Sequence, residues 1–388
     1  MIPYGKQDIN QDDIDSVIEV LQSDFLTQGP KVPAFEEAVC KYTSANYGVA
    51  VNSATSALHI ACLSLDLKEG GVLWTTPISF VASANCGLYC GADIDFVDID
   101  PETYNISVTA LEDKLKQAQI DNCLPNILVA VHLCGQSCDM EAIRRLSREY
   151  GFYVIEDASH AIGGEYQGKK IGSCEYSDIT IFSFHPVKII TTAEGGIATT
   201  NDKYLADQMR LFSSHGVTRD PELMTKETEG PWYYQQICLG YNYRMTELQA
   251  ALGISQLVRL DEFVARRHYL AEKYDSLLKG MALDTPKQNS SCYSSFHLYI
   301  IRLRLVDIPN KTHREIFQYL RDRGIGVNLH YIPIYTQPYY EQQYSCKIGV
   351  YPEADRYYEE AISLPLYPKM SEEDQLSVVS ALAKAIEV

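Results

Sequence analysis

The apolar positions along the chain change their period several times. Ile14, Val17, Ile18 and Leu21 recur at helical spacing, one stripe of a 3.6-residue period. "YGVAV", ending at Val51, is short and uniformly apolar and predicts a buried strand. "ATSALHIACLSL" then sets Ala57, Leu58, Ala61, Cys62 and Leu65 on one helical face. Strand-like runs follow at "GVLWTT", "DIDFVDI", "NILVAVHL", "FYVIED", "DITIFSF" and "GIATT", with helical segments such as "MEAIRRLSREYG" between some of them. Near-continuous apolar strands alternating with helices predict an α/β fold whose sheet is mostly parallel and covered on both faces.

From about Thr246 the pattern changes. "TELQAALGISQLVRLDEFVARRHYLAEKYDSLL" reads as one long helix of good helix formers. "FHLYIIRLRL", "HREIFQYLRDRG" and "IGVNLHYIPIY" then read as strand, helix, strand. The chain therefore divides into a large domain over 1–245 and a smaller C-terminal α+β domain over 246–388, with the long helix at the boundary.

Charge narrows the partners. The 388 residues carry a net charge of −18, and no Lys/Arg cluster interrupts it. Nucleic acid and anionic membrane are poor partners for such a surface. A negatively charged substrate must be captured by a local pocket. Met1 is followed by polar and charged residues, with no apolar leader and no run of about 18 apolar residues, so neither export nor a membrane span is expected. Eleven scattered cysteines, an odd number, read as reduced thiols in a cytoplasm. His132-x-Cys134-x3-Cys138 comes nearest to a metal motif, but no second ligand pair lies at finger spacing; no metal is expected, and buried cysteine at a strand end is the plainer reading.

Three stretches carry candidate chemistry, each at the carboxyl end of a predicted strand, where open α/β sheets bind ligands. "VNSATSAL" joins a strand to a helix N-terminus through Ser53, Thr55 and Ser56; exposed N–H groups and the helix dipole suit a phosphate, and simple N-capping explains the hydroxyls equally well. "FYVIEDASHA" ends a strand on Glu156-Asp157; the carboxylate needs a partner, either a pyridinium nitrogen or a helix N-terminus. "ITIFSFHPVK" ends a strand at Ser183 and places Lys188 five residues later. A buried lysine has a lowered pKa and can form a Schiff base. Hydroxyls for a phosphate, a carboxylate for a ring nitrogen and an amine for an aldehyde are together the parts that pyridoxal 5'-phosphate requires.

With these residues placed, the chain resembles the DegT/DnrJ/EryC1/StrS sugar-nucleotide aminotransferases, within the fold-type I (aspartate aminotransferase-like) superfamily. "SDFLTQGPKVPAFE", "NSATSALH", "TTPISFVASAN", "EDASHAIGGEYQGKKIG", "SFHPVK", "SSHG", "GYNYRMTELQAALGISQL" and "LHYIPIY" fall in the family's order. The resemblance implies a mostly parallel seven-stranded sheet and assigns roles. Lys188 is the Schiff-base lysine, Asp157 pairs with the pyridine nitrogen, and His160 lies near the ring hydroxyl. Phe80 stacks on the ring. Thr55, Ser56 and Ser183 hold the phosphate. Asn242 reaches the phosphate of the neighbouring subunit's cofactor, which makes a homodimer part of the active site. Arg244 is a candidate for the amino donor's carboxylate, with a salt-bridged position at a helix start as the alternative. Phe25, Leu26, Thr27 and Gln28, with His330, Tyr331 and Tyr335, would line the sugar-nucleotide entrance, although an aromatic near a proline is also ordinary packing in a chain of 28 tyrosines.

The family includes dehydratases with histidine in place of the lysine; Lys188 favours amino transfer. The glycine-rich segment, Thr191-Thr192-Ala193-Glu194-Gly195-Gly196, departs from the commoner "GEGG" form. It most resembles the subgroup acting in pseudaminic acid biosynthesis, which moves an amine from glutamate to C4 of a UDP-linked 4-keto-6-deoxy-N-acetylhexosamine. An aminotransferase for another keto sugar, of the bacillosamine or perosamine type, is the alternative; a dehydratase or a non-catalytic cofactor-binding regulator is further from the pattern.

Overall fold

The computed structural model describes residues 1–344 and 348–387. Strands β1 (Tyr47–Val51), β2 (Val72–Thr75), β3 (Asp93–Phe96), β4 (Ile127–Val131) and β5 (Tyr153–Asp157) come first. After a hairpin of β6 (Glu165–Tyr166) and β7 (Lys169–Lys170) follow β8 (Ile179–Ser183) and β9 (Gly196–Thr200). Seven of these form one sheet in the order β1-β9-β8-β5-β4-β2-β3. It is parallel from β3 through β8; β9 runs antiparallel to both its neighbours. The sheet is thus the mostly parallel α/β sheet that the alternation predicts. Strands β4, β8 and β9 are buried at every residue, because helices cover both faces.

The helices are bounded by ordinary sequence signals. Ser53 caps Ala54–Ser64 by accepting the Ser56 N–H. Asp139 caps Met140–Tyr150, and Gly151, at φ 80°, ends it in the left-handed conformation. Thr246 and Gln249 form a capping box at the start of Glu247–Val258. No helix among the described residues is long and apolar enough to cross a membrane.

The C-terminal part departs from the sequence pattern in two places. The single long helix is two, Glu247–Val258 and Leu260–Leu277. Arg259 breaks it because its N–H turns back to Gln256 and its guanidinium is drawn to Asp8 at 3.0 Å and Asp13 at 2.6 Å. Leu260, Phe263 and Val264 then pack with Phe35, Phe182 and Phe184 beside the large sheet, whereas Leu270, Ala271 and Tyr274 enter the C-terminal core. Nor is "IGVNLHYIPIY" a strand. After the small pairs β10 (Val217–Thr218) with β11 (Gln235–Gln236), the C-terminal sheet runs β12 (Leu283–Asp284), β14 (Tyr299–Leu303), β15 (Ala361–Leu364), while β13 (Cys292–Tyr293) joins the β6 hairpin. The "IGVNLHYIPIY" segment meets β15 at Ser363, through the isolated Asn328–Ser363 bridge, and forms no ladder with it. Asn328 turns its side-chain oxygen onto the Leu329 N–H, and Pro333 has no N–H to give a ladder. The N-terminus is stitched into the same region: Ile2 bridges Ile325, and the Tyr4 carbonyl accepts the Leu366 N–H.

Candidate active site

Strands β5 and β8 are parallel neighbours, with Asp157 opposite Ile181, so Asp157 and Ser183 end their strands at the same edge of the sheet. The turn after β8 folds back, with the Lys188 N–H on the His185 carbonyl, and brings the amine over the same edge. The result is a cleft of about 580 Å³ lined by Ser53, Thr55, Phe80, Asp157, His160, Ser183 and Lys188. Its far wall comes from distant parts of the chain: Tyr4, His297, Asn328, His330 and Tyr331.

Burial pushes the Lys188 amine down to about 8, against the opposing pull of the Asp157 charge. At pH 7.5 roughly a quarter of it is neutral, compared with about a thousandth of an ordinary lysine. Asp157 is fixed by three donors. Ser83 Oγ reaches Oδ2 at 2.6 Å; Ser159 Oγ and N–H reach Oδ1 at 2.6 and 3.2 Å. Neither serine is evident from the sequence as a partner; Ser159 carries a local signal, two residues on from the carboxylate, and Ser83 carries none.

Opposite the carboxylate, the chain forms a cup. Ser53 is extended at the helix start, and its oxygen takes the Ser56 N–H at 3.1 Å. The Ser56 hydroxyl is spent on Asn52 Oδ1 at 2.7 Å, so Ser56 braces the cup, while Thr55 faces the cleft. Gly196, at the start of β9, closes against this turn. A Cβ there would stand 2.5 Å from Ala54 N and 2.6 Å from the Ser53 carbonyl carbon. The first-turn N–H groups of the 11-residue helix have no intrahelical acceptor and favour an anion.

Phe80 stands on the rim, 58% exposed, with its ring centroid 6.2 Å from that of Tyr331. An aromatic left open over a polar cleft offers a flat face to a planar ring. Three buried histidines face the amine. Burial and the Lys188 charge push His160 and His297 well below the usual imidazole range and His330 to about 3, so all three are neutral. His330 Nδ1 is bonded to Ser363 Oγ at 2.8 Å. On the other side of the sheet, Glu156 is buried with His132 at 2.7 Å. Cys138 N–H donates to His132 Nδ1, which leaves Nε2–H for the carboxylate, so the ring that came nearest to a metal ligand is fully used.

Several expected residues lie off this cleft. Thr27 bridges Thr246. Asn242 pairs with Ser214, and Arg244 bonds Ser214 Oγ at 3.0 Å, with no acidic partner among the described residues. Tyr335 does not line an entrance: it is fully buried, packed with Phe96 and Tyr351 and bonded to Asp355. It follows Pro333 at the start of a short helical turn that points into the core.

Comparison with known proteins agrees with this geometry. Residues 7–383 match the model of the DegT/DnrJ/EryC1/StrS aminotransferase family. The chain belongs to this family. A UDP-4-amino-4,6-dideoxy-N-acetyl-beta-L-altrosamine transaminase of Campylobacter jejuni is 39% identical, over 100% of this chain and 98% of its own. Among solved structures, Helicobacter pylori PseC, described as an aminotransferase involved in the biosynthesis of pseudoaminic acid, superposes with a TM-score of 0.89 at 32% identity, covering 100% and 99% of the two chains. The PLP form of a putative sugar aminotransferase, Spr1654 of Streptococcus pneumoniae, gives 0.87 at 28% identity, covering 100% and 98%. This DegT-family enzyme is a sugar aminotransferase dependent on pyridoxal phosphate.

Proposed function

We propose that the enzyme transfers an amino group from L-glutamate to C4 of a UDP-linked 4-keto-6-deoxy-N-acetylhexosamine, forming UDP-4-amino-4,6-dideoxy-N-acetyl-beta-L-altrosamine for pseudaminic acid synthesis. It works in the cytoplasm as a homodimer. The observation that carries this reading is the full-length likeness to the C. jejuni transaminase, combined with an amine, a carboxylate and an anion cup in one cleft.

The donor set fits pyridoxal phosphate. Asp157 would hold the ring nitrogen, Phe80 would cover the ring face, and Thr55, Ser183 and the helix N-terminus would hold the phosphate. Lys188 would hold the aldehyde carbon. When bound, the cofactor stores the amino group and delocalises the electron pair left on a deprotonated carbon. The chain supplies orientation and proton movement. Lys188, partly neutral near pH 7.5, takes the proton from the α-carbon of glutamate and returns one to C4 of the sugar; such transfer contributes about 10²–10⁴-fold. The neutral histidines keep further positive charge away from the amine, which sustains its basicity balance. One cleft serves two substrates in turn, so ping-pong kinetics follow. Asn242 and Arg244 sit outside their own chain's cleft, as residues serving a neighbouring subunit would: Asn242 at its cofactor phosphate, Arg244 at the donor carboxylate.

The test is to load the protein with cofactor, add glutamate, then add the keto sugar nucleotide, with Lys188→Ala in parallel. The visible band should fall with glutamate and recover with the sugar. One 2-oxoglutarate should appear per amino sugar, and NMR of the product should give the altro configuration. Faster turnover of a bacillosamine- or perosamine-type keto sugar would move the enzyme to that class. A band that answers glutamate but no sugar would discard the substrate class.

A further inference from the structure

A second group of reactive side chains lies outside the cleft lining, in the seam between helix Ala54–Ser64 and helix Ala82–Tyr89. His59 and Cys62 are three residues apart on the first helix and so share a face. Cys86 lies on the second, and Cys90 caps its C-terminus. The Cys62 thiol is hydrogen-bonded with both. Cys62 and Cys86 are buried, which is ordinary packing for a small, largely apolar side chain. That account does not cover Cys90, which is only partly buried, or His59. His59 is 3% exposed and held among Tyr89, Tyr241 and Tyr243, with ring centroids 5.4, 4.8 and 6.0 Å from its own. Its Nδ1 meets the Tyr243 hydroxyl at 3.2 Å, and its Nε2 is buried with no hydrogen-bond partner among the described residues. A buried nitrogen left unpaired costs free energy, and the ring acts on the Cys90 thiol beside it.

With the Tyr243 O–H on Nδ1, the imidazole proton sits on Nε2, as a donor for a Cys90 thiolate. Hydrogen bonding from the Cys62 thiol, and then from His59, pulls the Cys90 thiol below its ordinary range, against the cost of burial. Cys62 moves the other way, held up by its bonds to Cys86 and Cys90 and by burial, and keeps its proton. Tyr89, Tyr241 and Tyr243 are the other titratable groups packed around the pair, with Cys86 from the second helix. No group of side chains among the described residues could hold a metal ion, so the chemistry left to this cluster is that of a thiolate with a second thiol in reach. We propose that Cys90 and Cys62 form a peroxide-reactive dithiol site, with Cys90 the attacking sulfur and Cys62 the resolving one. The Cys90 thiolate attacks one peroxide oxygen; the O–O bond breaks, and hydroxide leaves and takes up the proton that Cys90 released. The Cys62 thiol then attacks the sulfenic sulfur; the S–O bond breaks, and the oxygen leaves as water with the Cys62 proton. Two thiols are oxidised to one disulfide, and one peroxide is reduced to two waters. The new bond ties the last turn of helix Ala54–Ser64, whose first turn forms the anion cup, to the end of the helix whose Ser83 holds Asp157.

The test starts from the cofactor-loaded wild type. Hydrogen peroxide is added in small molar excess, the remaining thiols are alkylated in denaturant, and the digest is read by mass spectrometry. A Cys62–Cys90 disulfide should appear before Cys123, the most open of the described cysteines, is oxidised. Native alkylation by iodoacetamide, followed residue by residue, should give Cys90 a pH midpoint at least about one unit below that of Cys123. His59→Phe should raise the Cys90 midpoint by about one unit. In Cys62→Ala the disulfide should be lost, and a dimedone adduct of the Cys90 sulfenic acid should take its place. Circular dichroism checks that each variant is folded; if one is not, the two wild-type measurements still decide. Absence of a Cys62–Cys90 disulfide overturns the proposal, as does a Cys86–Cys90 pair in its place. So does a Cys90 that iodoacetamide does not reach, or one whose midpoint equals that of Cys123.

Discussion

Replacing Lys188 with methionine should change how the cofactor-free protein's stability depends on pH. The folded amine titrates at about 8, below its ordinary 10.5, because burial disfavours the ammonium form. Below pH 8 both folded and unfolded chains carry the proton, and the folded state bears the full penalty. Between 8 and 10.5 the folded chain has released the proton while the unfolded chain still binds it. Stability therefore rises with pH across that window. At 1.36 kcal/mol per pH unit the limit is about 3 kcal/mol. The side chain is partly open to solvent, and screening reduces this to about 1–2 kcal/mol. The assay is urea denaturation of cofactor-free wild type and Lys188→Met at pH 7.5 and pH 10. Tyrosines and thiols titrate in the same window in both proteins and cancel in the difference. The variant's advantage at pH 7.5 should shrink by that amount at pH 10. A constant difference, or one that widens, refutes an amine held neutral by burial.

Four further outcomes are expected. Asp157→Asn keeps the shape but loses the charge; kcat should fall by about 10²–10³ with a smaller change in the KM for glutamate, measured by steady-state kinetics. Gly196→Ala must push the β9 start off the Ser53–Ala54 backbone, so fluorescence titration should show cofactor binding at least about tenfold weaker, with about 1–3 kcal/mol lost on denaturation. His132→Leu leaves the buried Glu156 with only Ser177 and Thr180 as donors, and should cost about 3–5 kcal/mol by chemical denaturation. Inactive Lys188→Ala and Asn242→Ala chains, mixed and reassorted, should recover about a quarter of wild-type activity, because half the dimers contain one complete site; no recovery would place Asn242 outside the partner's site.

The parts of this enzyme written in local sequence were legible, and those made by distant segments were not. β4, β5 and β8 were readable because buried parallel strands are apolar without interruption. Lys188, Asp157 and Ser183 were readable because the carboxyl ends of such strands are where polar residues have work to do. The break at Arg259 was hidden, since arginine is a good helix former and its partners, Asp8 and Asp13, lie about 250 residues away in the chain. Tyr335 and Tyr331 look alike in the sequence, four residues apart; only packing separates the buried one from the one in the cleft. Ser83 was invisible for the same reason: its carboxylate is 74 residues distant.

The stitching of Ile2 to Ile325 and of Tyr4 to Leu366 has a consequence in time. A ribosome adding about 5–20 residues per second needs on the order of 20–70 s to reach residue 366. Throughout that interval the first residues of the chain wait without their partners, while the large sheet between them can already form. Tyr4, His330 and Tyr331 close the cleft only at the end, so the nascent enzyme holds its helix N-terminus and its lysine in place before it has the far wall opposite them.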